Sequence, residues 1–263
     1  SRVTARALGL AAGAYELPAL VPGWTLPGVM TAGAAQILLK QSGVLARRAV
    51  LVGSGPLLYL IAAQMVRAGT PPLAMVETQT RADLLHAMSH LVGALRGWRY
   101  LLKGLGLLAV IVRAGVPRYT GATEIGIEGD DRAEAVTFES RGRARRIACD
   151  TVFLHHGVVP NTQAARALNV RHVWNAAQHC FVPVLDAWGQ SEVAGVLVAG
   201  DGAGIGGAKA AEIAGRLAGL RVAEDLGRMD RTTRDRHAAR LHAARARELA
   251  ARPFLDAAYP PFA

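Results

Sequence analysis

The sequence is poor in cysteine. Only Cys149 and Cys180 carry a thiol among its 263 residues, and they lie 31 positions apart. Because they form no C-x-x-C or C-x(4)-C pattern, we predict neither a redox-active disulfide nor a metal site. Two unclustered thiols suit a reducing compartment, so the expected localisation is cytoplasmic. The chain opens on Ser1, almost directly before a strand pattern, and the sequence leaves open whether a signal peptide precedes it.

Lysine and aromatic residues are also scarce. Only three lysines occur among the 30 basic residues, and Phe, Trp and Tyr together make up 5% of the chain. The net charge of +10 alone would suit a nucleic-acid-binding protein. However, arginine supplies almost all of this charge in an alanine-rich sequence, which is typical of codon bias. No basic stretch has the interleaved aromatics that stack on bases, so we predict no nucleic-acid partner.

The sequence lacks a hydrophobic run that could span a bilayer. The apolar stretch 101–112 contains a lysine and two glycines and is shorter than the roughly 20 residues that a span needs. We interpret it as a buried helix and predict no membrane span. With 51% hydrophobic residues and 29 glycines, the chain has ample material for the core of an α/β protein.

A strand, a glycine-rich turn and a helix follow one another near residue 50. The aliphatic run 50–52 is typical of a buried parallel strand, and a helical pattern covers 56–67. The first glycine of the turn permits a tight bend, and the second lets a phosphate approach the helix N-terminus. A second apolar run ends at an acidic residue 24 positions after the first glycine, where dinucleotide folds bind a ribose hydroxyl. The predicted nucleotide-binding residues are Gly53, Ser54, Gly55, Pro56, Leu57 and Glu77.

This pattern departs from the full dinucleotide fingerprint at its third position. Leu58 stands where G-x-G-x-x-G/A has a small residue, and we expect it to push the helix away from the strand. The alternative is an ordinary strand-to-helix turn whose glycines serve only geometry. Glu77 favours NAD over NADP because its charge repels a 2′-phosphate, although the nearby Arg81 tempers that preference.

The middle of the chain predicts further strands and helices. Residues 81–113 form a helical region that glycines interrupt, so two helices are expected, and residues 116–119 and 124–148 predict a strand and then a meander. A buried strand leads into His155-His156. Neighbouring residues on a strand point to opposite faces, so these two histidines cannot easily bind one metal ion together. We instead expect them to lie in a domain-hinge turn that contacts a bound nucleotide. Residues 181–191 predict a β-hairpin.

A second strand–turn–helix pattern lies at residues 195–226. A strand runs into Gly200-Asp201-Gly202, and a helix is predicted beyond Gly207 as far as Leu226. The start of this helix would present backbone N–H groups to an anion such as a pyrophosphate. The alternative is a Gly-Asp turn with no ligand.

The N-terminal residues resemble a known family. Leu10-Ala-Ala-Gly13-Ala14, together with Pro-Gly-Trp-Thr-Leu-Pro-Gly-Val-Met-Thr-Ala-Gly-Ala-Ala-Gln36, is similar to a bacterial flavoprotein family. This family contains the A subunit of opine oxidase, the B subunit of hydrogen cyanide synthase and the α subunit of D-hydroxyproline dehydrogenase, relatives of the pyridine nucleotide–disulfide reductases. The resemblance implies an α/β fold with two Rossmann-like dinucleotide-binding domains, the first lacking its N-terminal βαβ unit.

The resemblance also implies a domain organisation. Residues 1–45 would be part of an FAD-type domain, 46–156 an inserted NAD(P)-type domain, 157–228 the return to the first domain, and 229–263 an arginine-rich C-terminal helix and tail. The stretch after His156 resembles the G-R-x-P-N element that closes the second domain, with Val158 at the arginine position. The family's first FAD fingerprint is expected before residue 1 and its cysteine-rich [2Fe–2S] segment after residue 263, so the chain corresponds to the middle of such a protein.

The family's cofactor site carries over to particular residues of this chain. Asp201 would accept a hydrogen bond from a ribityl hydroxyl of FAD. The other implied cofactor-lining residues are Gly13, Ala14, Gly157, Gly200, Gly207 and Ala208. FAD would find an incomplete site here, and NAD or another adenine nucleotide is expected at 53–77.

The implied function is that of one subunit in a flavin-dependent oxidoreductase. Its substrate would be an amine, an opine or an imino acid such as hydroxyproline, and its partner a second flavoprotein subunit. No general base is identifiable, and the family's substrate oxidation is attributed to the partner, so this chain would bind an adenine dinucleotide and pass electrons. The alternative is a non-catalytic nucleotide-binding subunit that stabilises a hetero-oligomeric dehydrogenase.

Overall fold

The computed structural model describes residues 4–17 and 20–261, in which short strands alternate with helices. The strands are β1 (Leu8–Leu10), β2 (Ala14–Glu16), β3 (Val29–Thr31), β4 (Ala49–Gly53), β5 (Ala74–Glu77), β6 (Arg118–Thr120), β7 (Thr123–Glu128), β8 (Ala135–Ser140), β9 (Arg143–Ala148), β10 (Thr151–His155), β11 (Val158–Pro160), β12 (His172–Asn175), β13 (Cys180–Pro183) and β14 (Val196–Val198). The helices are α1 (Ala32–Ser42), α2 (Pro56–Arg67), α3 (Arg81–Ala87), α4 (Leu91–Arg96), α5 (Trp98–Arg113), α6 (Gln163–Ala167), α7 (Ala208–Asp225), α8 (Arg231–Leu249) and α9 (Arg252–Ala258).

The chain divides into two compact units. The first contains the chain up to Tyr15, residues 93–97 and residues 158–253, and the second contains residues 16–92, 98–157 and the chain from Phe254 onward. The division falls after Tyr15, whereas the sequence predicted it after residue 45. The difference arises because β3 pairs with β10, which brings the segment from β3 to α1 into the second unit.

A five-stranded parallel sheet, in the order β3-β10-β4-β5-β6, forms the centre of the second unit. All five residues of β4 are buried, as expected for a parallel strand that is covered on both faces. Because side chains alternate along a strand, Leu51 and Met75 pack against α1, α2 and α5, while Val50 and Val52 pack against the meander β7–β9. The carboxyl ends of β4, β5 and β10 therefore meet at one edge, the place where such sheets bind ligands.

The helical stretch 81–113 of the sequence contains more elements than the two helices predicted. It comprises α3, a 3₁₀ turn at Met88–His90, α4 and α5. Although α5 buries Leu107 and Ile111, its residues Trp98, Leu102 and Leu105 are more than half exposed. Within the described part of the chain, no helix combines the length and the apolar character that a membrane span needs.

Smaller sheets and two long helices build the first unit. Strand β1 pairs in parallel with β14, β2 pairs with β11, and β12 pairs in antiparallel with β13. The predicted hairpin over 181–191 is wrong, because β13 pairs with the preceding strand and Asp186 closes a turn of its own. Its Oδ1 accepts the N–H groups of Trp188 and Gln190, each at 2.8 Å. The α7 and α8 helices follow, and Arg236, Arg240 and Arg247 are exposed on α8.

Candidate functional site

The glycine-rich turn of the second unit has the geometry that the sequence predicted. Strand β4 ends at Gly53, with φ +130°, and Gly55, with φ +116°, immediately precedes α2, which begins at Pro56. A Cβ on Gly53 would lie 1.8 Å from the carbonyl oxygen of His155 on the neighbouring strand. Only glycine therefore fits at Gly53, and the turn brings the start of α2 to the ligand-binding edge of the sheet.

The start of α2 suits an anion. No acidic residue occurs in its first turn, and no side chain caps it. The Ser54 N–H donates to the carbonyl of His155 at 2.8 Å, but the buried Ser54 hydroxyl has no hydrogen-bond partner within the described ranges. A buried hydroxyl without a partner is costly, and together with the free N–H groups of a helix start it fits a phosphate ligand. We expected Leu58 to push α2 away from β4. Its side chain is buried in the hydrophobic cluster that α1, α2 and α5 form with one face of the parallel sheet.

Glu77 lies at the end of β5 in a buried network. Its Oε1 accepts Arg118 Nε at 2.6 Å, and its Oε2 accepts Arg118 Nη2 at 2.8 Å and the Tyr59 hydroxyl at 2.5 Å. The Gln79 amide also donates to Oε2. With only 1% of its surface exposed, Glu77 has both oxygens engaged by protein groups. A ribose contact from Glu77 stays a prediction, and it requires at least one of these donors to give way.

The charges in this network stabilise one another. Burial and the negative charge of Glu77 raise the pKa of Tyr59 well above its usual range, so its hydroxyl stays protonated and donates. The hydrogen bond to Glu77 raises the pKa of Arg118, which stays charged. Tyr259, in the C-terminal part of the second unit, packs edge-on against Tyr59 with ring centroids 6.0 Å apart. No local signal in the sequence predicts this network, because Arg118 lies 41 positions from Glu77.

A second buried pair, formed by His155 and Glu16, lies beside the same turn. His155 Nδ1 lies 2.8 Å from Glu16 Oε1, and Glu16 Oε2 accepts the Gly33 N–H at 2.7 Å. Burial raises the pKa of Glu16, but its hydrogen bonds with His155 and Thr31 outweigh this and leave the pKa below its usual range. His156 is also buried, and burial, with a smaller effect of His155, lowers its pKa to about 4.

Gly157 follows these histidines and belongs to the second unit. Its φ is +101°, and a Cβ there would meet no atom within 4 Å. Its carbonyl accepts the N–H of Leu17 at 3.0 Å. Gly157 therefore lies in the same unit as the turn between β4 and α2, whereas the other predicted flavin-lining residues lie in the first unit.

Asp201 organises the corresponding turn of the first unit. It lies in a 3₁₀ turn, Gly200–Ala203, directly after β14. Its Oδ1 accepts the N–H groups of Gly206 and Gly207, each at 3.0 Å, and so fixes the loop that leads into α7. Its Oδ2 has no hydrogen-bond partner among residues 4–17 and 20–261. One carboxylate oxygen thus holds the loop, and the other is available to a hydroxyl donor.

The ends of β1 and β14 lie side by side near this carboxylate. The N–H of Ala199 donates to the carbonyl of Leu10 at 2.9 Å, and the N–H of Asn161 donates to that of Gly13 at 2.9 Å. A Cβ on Gly202 would lie 3.5 Å from the Gly13 carbonyl oxygen. The structure thus brings the predicted residues around Gly13 and Gly200–Asp201 together. Among the other predicted residues, Ala14 is exposed at the start of β2, and Gly207 and Ala208 are exposed at the start of α7.

A cavity of about 320 Å³ also lies in the first unit, and Val198 and Ala203, which flank Gly200 and Asp201 in the chain, are part of its lining. Trp188, Asp186 and Arg245 are among the residues that line it. Trp188 also stacks on the guanidinium of Arg234, 4.1 Å from the ring centroid, and Arg234 forms ion pairs with Glu224 and Asp235. None of the predicted flavin-lining residues lines this cavity, so we do not assign it to the cofactor.

Comparison with known proteins identifies the family. The sequence profile of the family described as "Pyridine nucleotide-disulphide oxidoreductase" matches residues 1–218. The chain belongs to this family. The match confirms the predicted α/β dinucleotide-binding fold, which agrees with the parallel sheet of the second unit.

Individual relatives confirm the narrower resemblance. The chain is 45% identical to the A subunit of opine oxidase from Agrobacterium tumefaciens (strain Ach5) over 264 residues, which cover 98% of this chain and 51% of the relative. It is 31% identical to the hydrogen cyanide synthase subunit HcnB of Pseudomonas protegens over 231 residues, covering 84% of this chain and 48% of the relative. The chain thus spans about half the length of the curated relatives it matches.

Solved structures show the same fold. L-Proline dehydrogenase from P. horikoshii superposes with a TM-score of 0.58 at 16% identity, covering 90% of this chain and 38% of that one. At this level of identity the likeness concerns the fold and not the reaction.

Proposed function

We propose that this chain binds an adenine dinucleotide, with NAD favoured, at the turn between β4 and α2. The observation that carries the proposal is the combination of a glycine-only turn with a buried Ser54 hydroxyl that lacks a partner in the described ranges. Backbone N–H groups of the first turn of α2 would hold the pyrophosphate, and the Ser54 hydroxyl would donate to it. The family to which the chain belongs is named for pyridine nucleotides, which supports this choice of ligand.

The first unit would contribute part of an FAD site. In this proposal Asp201 Oδ2 accepts a ribityl hydroxyl while Oδ1 keeps the loop before α7 in place. The positions of Gly13 and Gly207 are open, since a Cβ at either would meet no atom within 4 Å, so a cofactor can approach the backbone there. When bound, the flavin would accept a hydride from the carbon next to the substrate nitrogen, as the C–N bond becomes C=N. The residues of this chain would bind and orient it.

The proposed reaction class is oxidation of an amine, an opine or an imino acid, within an assembly of unlike subunits. Relatives named as subunits of opine oxidase and hydrogen cyanide synthase support this assignment. The exposed apolar face of α5, formed by Trp98, Leu102 and Leu105, is a suitable contact for a second subunit, because monomeric proteins rarely leave such stripes uncovered. A non-catalytic nucleotide-binding subunit of the same assembly is the second candidate, favoured by the absence of an identifiable catalytic base in the sequence.

Calorimetric titration with NADH tests the nucleotide site. Pro56 is exposed at the first position of α2, so Pro56→Glu places a negative charge that suits the helix dipole but repels a phosphate. We expect Pro56→Glu to weaken NADH binding by about tenfold or more, while the neutral Pro56→Gln binds like the wild type. Gly55→Val should abolish binding, because it fills the phosphate approach, and Gly104→Val, at an open position on α5, is its matched control. Equal NADH affinity in all four variants contradicts the proposal.

The two candidate functions predict different effects of an Asp201 substitution on the flavin content of the complex with the partner. If the chain takes part in electron transfer, the complex with its partner shows flavin absorbance that depends on Asp201. If it is only a nucleotide-binding subunit, the complex oxidises its substrate equally well after Asp201→Asn, and its flavin content does not change.

A further inference from the structure

The imidazole of His155 lies against the phosphate-binding turn. Its Cδ2 and Nε2 atoms each lie 3.4 Å from the position that a Cβ on Gly55 would occupy. Gly55 is the residue immediately before α2, so this edge of the ring borders the space in which the proposed pyrophosphate would lie. Among residues 4–17 and 20–261, Nε2 has no hydrogen-bond partner, although His155 as a whole is buried.

Glu16 fixes which ring nitrogen faces the turn. The Glu16 carboxylate accepts the Gly33 N–H with Oε2, and its Oε1 lies 2.8 Å from His155 Nδ1. An ionised carboxylate can only accept, so Nδ1 carries a proton and donates to Glu16. The other nitrogen, Nε2, is thereby presented to the turn. Glu16 and His155 lie 139 positions apart, so only the fold brings them together.

We infer that His155, as an imidazolium held by Glu16, donates its Nε2–H to the pyrophosphate of the bound dinucleotide. This inference rests on the proposed nucleotide site and adds a charged side chain to a turn that otherwise offers backbone N–H groups and one hydroxyl. Charge-assisted hydrogen bonds to phosphate are stronger than neutral ones. Glu16 is a positioning residue, since it acts on the ligand only through the ring.

The charges around His155 suit this role. Glu16 on β2 supplies the counter-charge, and the ligand would supply a second negative charge on the opposite side of the ring. His156, the next residue in the chain, stays neutral near pH 7 because burial lowers its pKa to about 4. His156 therefore adds no positive charge that would oppose protonation of His155 at neutral pH. Binding of the dinucleotide then favours uptake of a proton by His155.

Proton uptake separates this role from a purely structural one. NADH is titrated into the full chain at pH 7 and 8, in buffers that differ in ionisation enthalpy, for the wild type, His155→Gln, Glu16→Gln and the control His90→Gln. We expect wild-type affinity to fall as the pH rises and binding to take up a proton. His155→Gln should bind about tenfold or more weakly, with affinity independent of pH and without proton uptake. Glu16→Gln should reduce the uptake, and His90→Gln, an exposed histidine on the same unit, should match the wild type.

Two results overturn the inference. If His155→Gln binds NADH with wild-type affinity and wild-type proton uptake, the ring does not contact the phosphate. If His155→Gln binds weakly but keeps the pH dependence, the pair only supports the fold. Failure of the wild type to bind NADH at all is a different result, because it removes the nucleotide site itself and this inference with it.

Discussion

The two turns that each follow a parallel strand and lead into a helix are built in different ways. In the second unit, β4 lies inside a five-stranded sheet, and the turn is fixed by packing of Gly53 against His155. In the first unit, β14 has only β1 as a parallel neighbour within the described residues, and a side chain, Asp201, fixes the turn. The second unit therefore has a turn shaped by the sheet itself, and the first has one that depends on a single carboxylate.

From this difference we predict which of the two proposed sites the chain can form alone. A turn inside a sheet that is covered on both faces is held by many buried contacts, so the second unit should bind its ligand without help. A two-stranded sheet is marginal by itself, and the groups around Asp201 supply only hydrogen bonds to part of a cofactor. We therefore predict an autonomous nucleotide site and a flavin site that needs further protein.

The largest expected effect concerns the ion pair beside the second unit's turn, in which Glu77 is buried and Arg118 is partly buried. Glu77→Ala leaves Arg118 without its partner, and we expect a loss of about 3–5 kcal/mol in the free energy of unfolding. Denaturant titration followed by circular dichroism measures it. The matched control is Glu128→Ala, which breaks the exposed pair with Arg146 and should cost about 1 kcal/mol or less. Similar losses in both variants would mean that the network around Glu77 does not stabilise this unit.

A second effect concerns pH. The folded chain holds His156 with a pKa of about 4, whereas the unfolded chain binds that proton near the usual pKa of about 6.5. As the pH falls from about 6.5 to 4, His156 becomes protonated in the unfolded chain but stays neutral in the folded one. The free energy of unfolding therefore decreases over this range. The expected loss by pH 4 is roughly 3 kcal/mol. Thermal unfolding of the wild type and of His156→Leu checks this, since the variant should lose less stability on acidification.

The smallest effect concerns Asp201. Asp201→Asn can keep the acceptor that holds Gly206 and Gly207 but replaces Oδ2 by an amide donor. We expect the loop to survive and FAD affinity of the complex with the partner to fall about two- to tenfold, the range of one neutral hydrogen bond. Asp201→Ala should also loosen the loop and lower the melting temperature. Unchanged FAD affinity in Asp201→Asn would remove the ribityl assignment and leave Asp201 with a structural role.

Local sequence signals predicted the conformation of the turn between β4 and α2 well. Glycines with positive φ, a proline at the first helical position and an aliphatic strand are encoded within a few residues, so Gly53, Gly55 and Pro56 could be placed without a structure. The same holds for the strand β14 and the turn at Gly200-Asp201 that follows it. Each of these predictions depends on neighbours in the chain.

Contacts between distant parts of the sequence could not be predicted. The contact between Glu16 and His155 forms only because β2 lies beside the end of β10. The pairing of β3 with β10 places the segment from β3 to α1 in the second unit, so the units divide after Tyr15 and not after residue 45. Glu77 lies at the end of β5, as expected, but Arg118, 41 positions further along the chain, donates hydrogen bonds to its carboxylate. We expected the apolar stretch 101–112, which is part of α5, to be buried. Periodicity shows which residues share one face of a helix, but it does not show whether another element packs against that face.

The most direct test is a pair of titrations on the 263-residue chain, one with NADH and one with FAD. We predict saturable NADH binding to one site and FAD binding that is much weaker. NADH binding should weaken by about tenfold or more in Pro56→Glu and stay unchanged in Pro56→Gln. Tightly held, stoichiometric FAD in this chain, with no measurable affinity for NADH, would contradict the central claim that the second unit holds the complete site and the first only part of one.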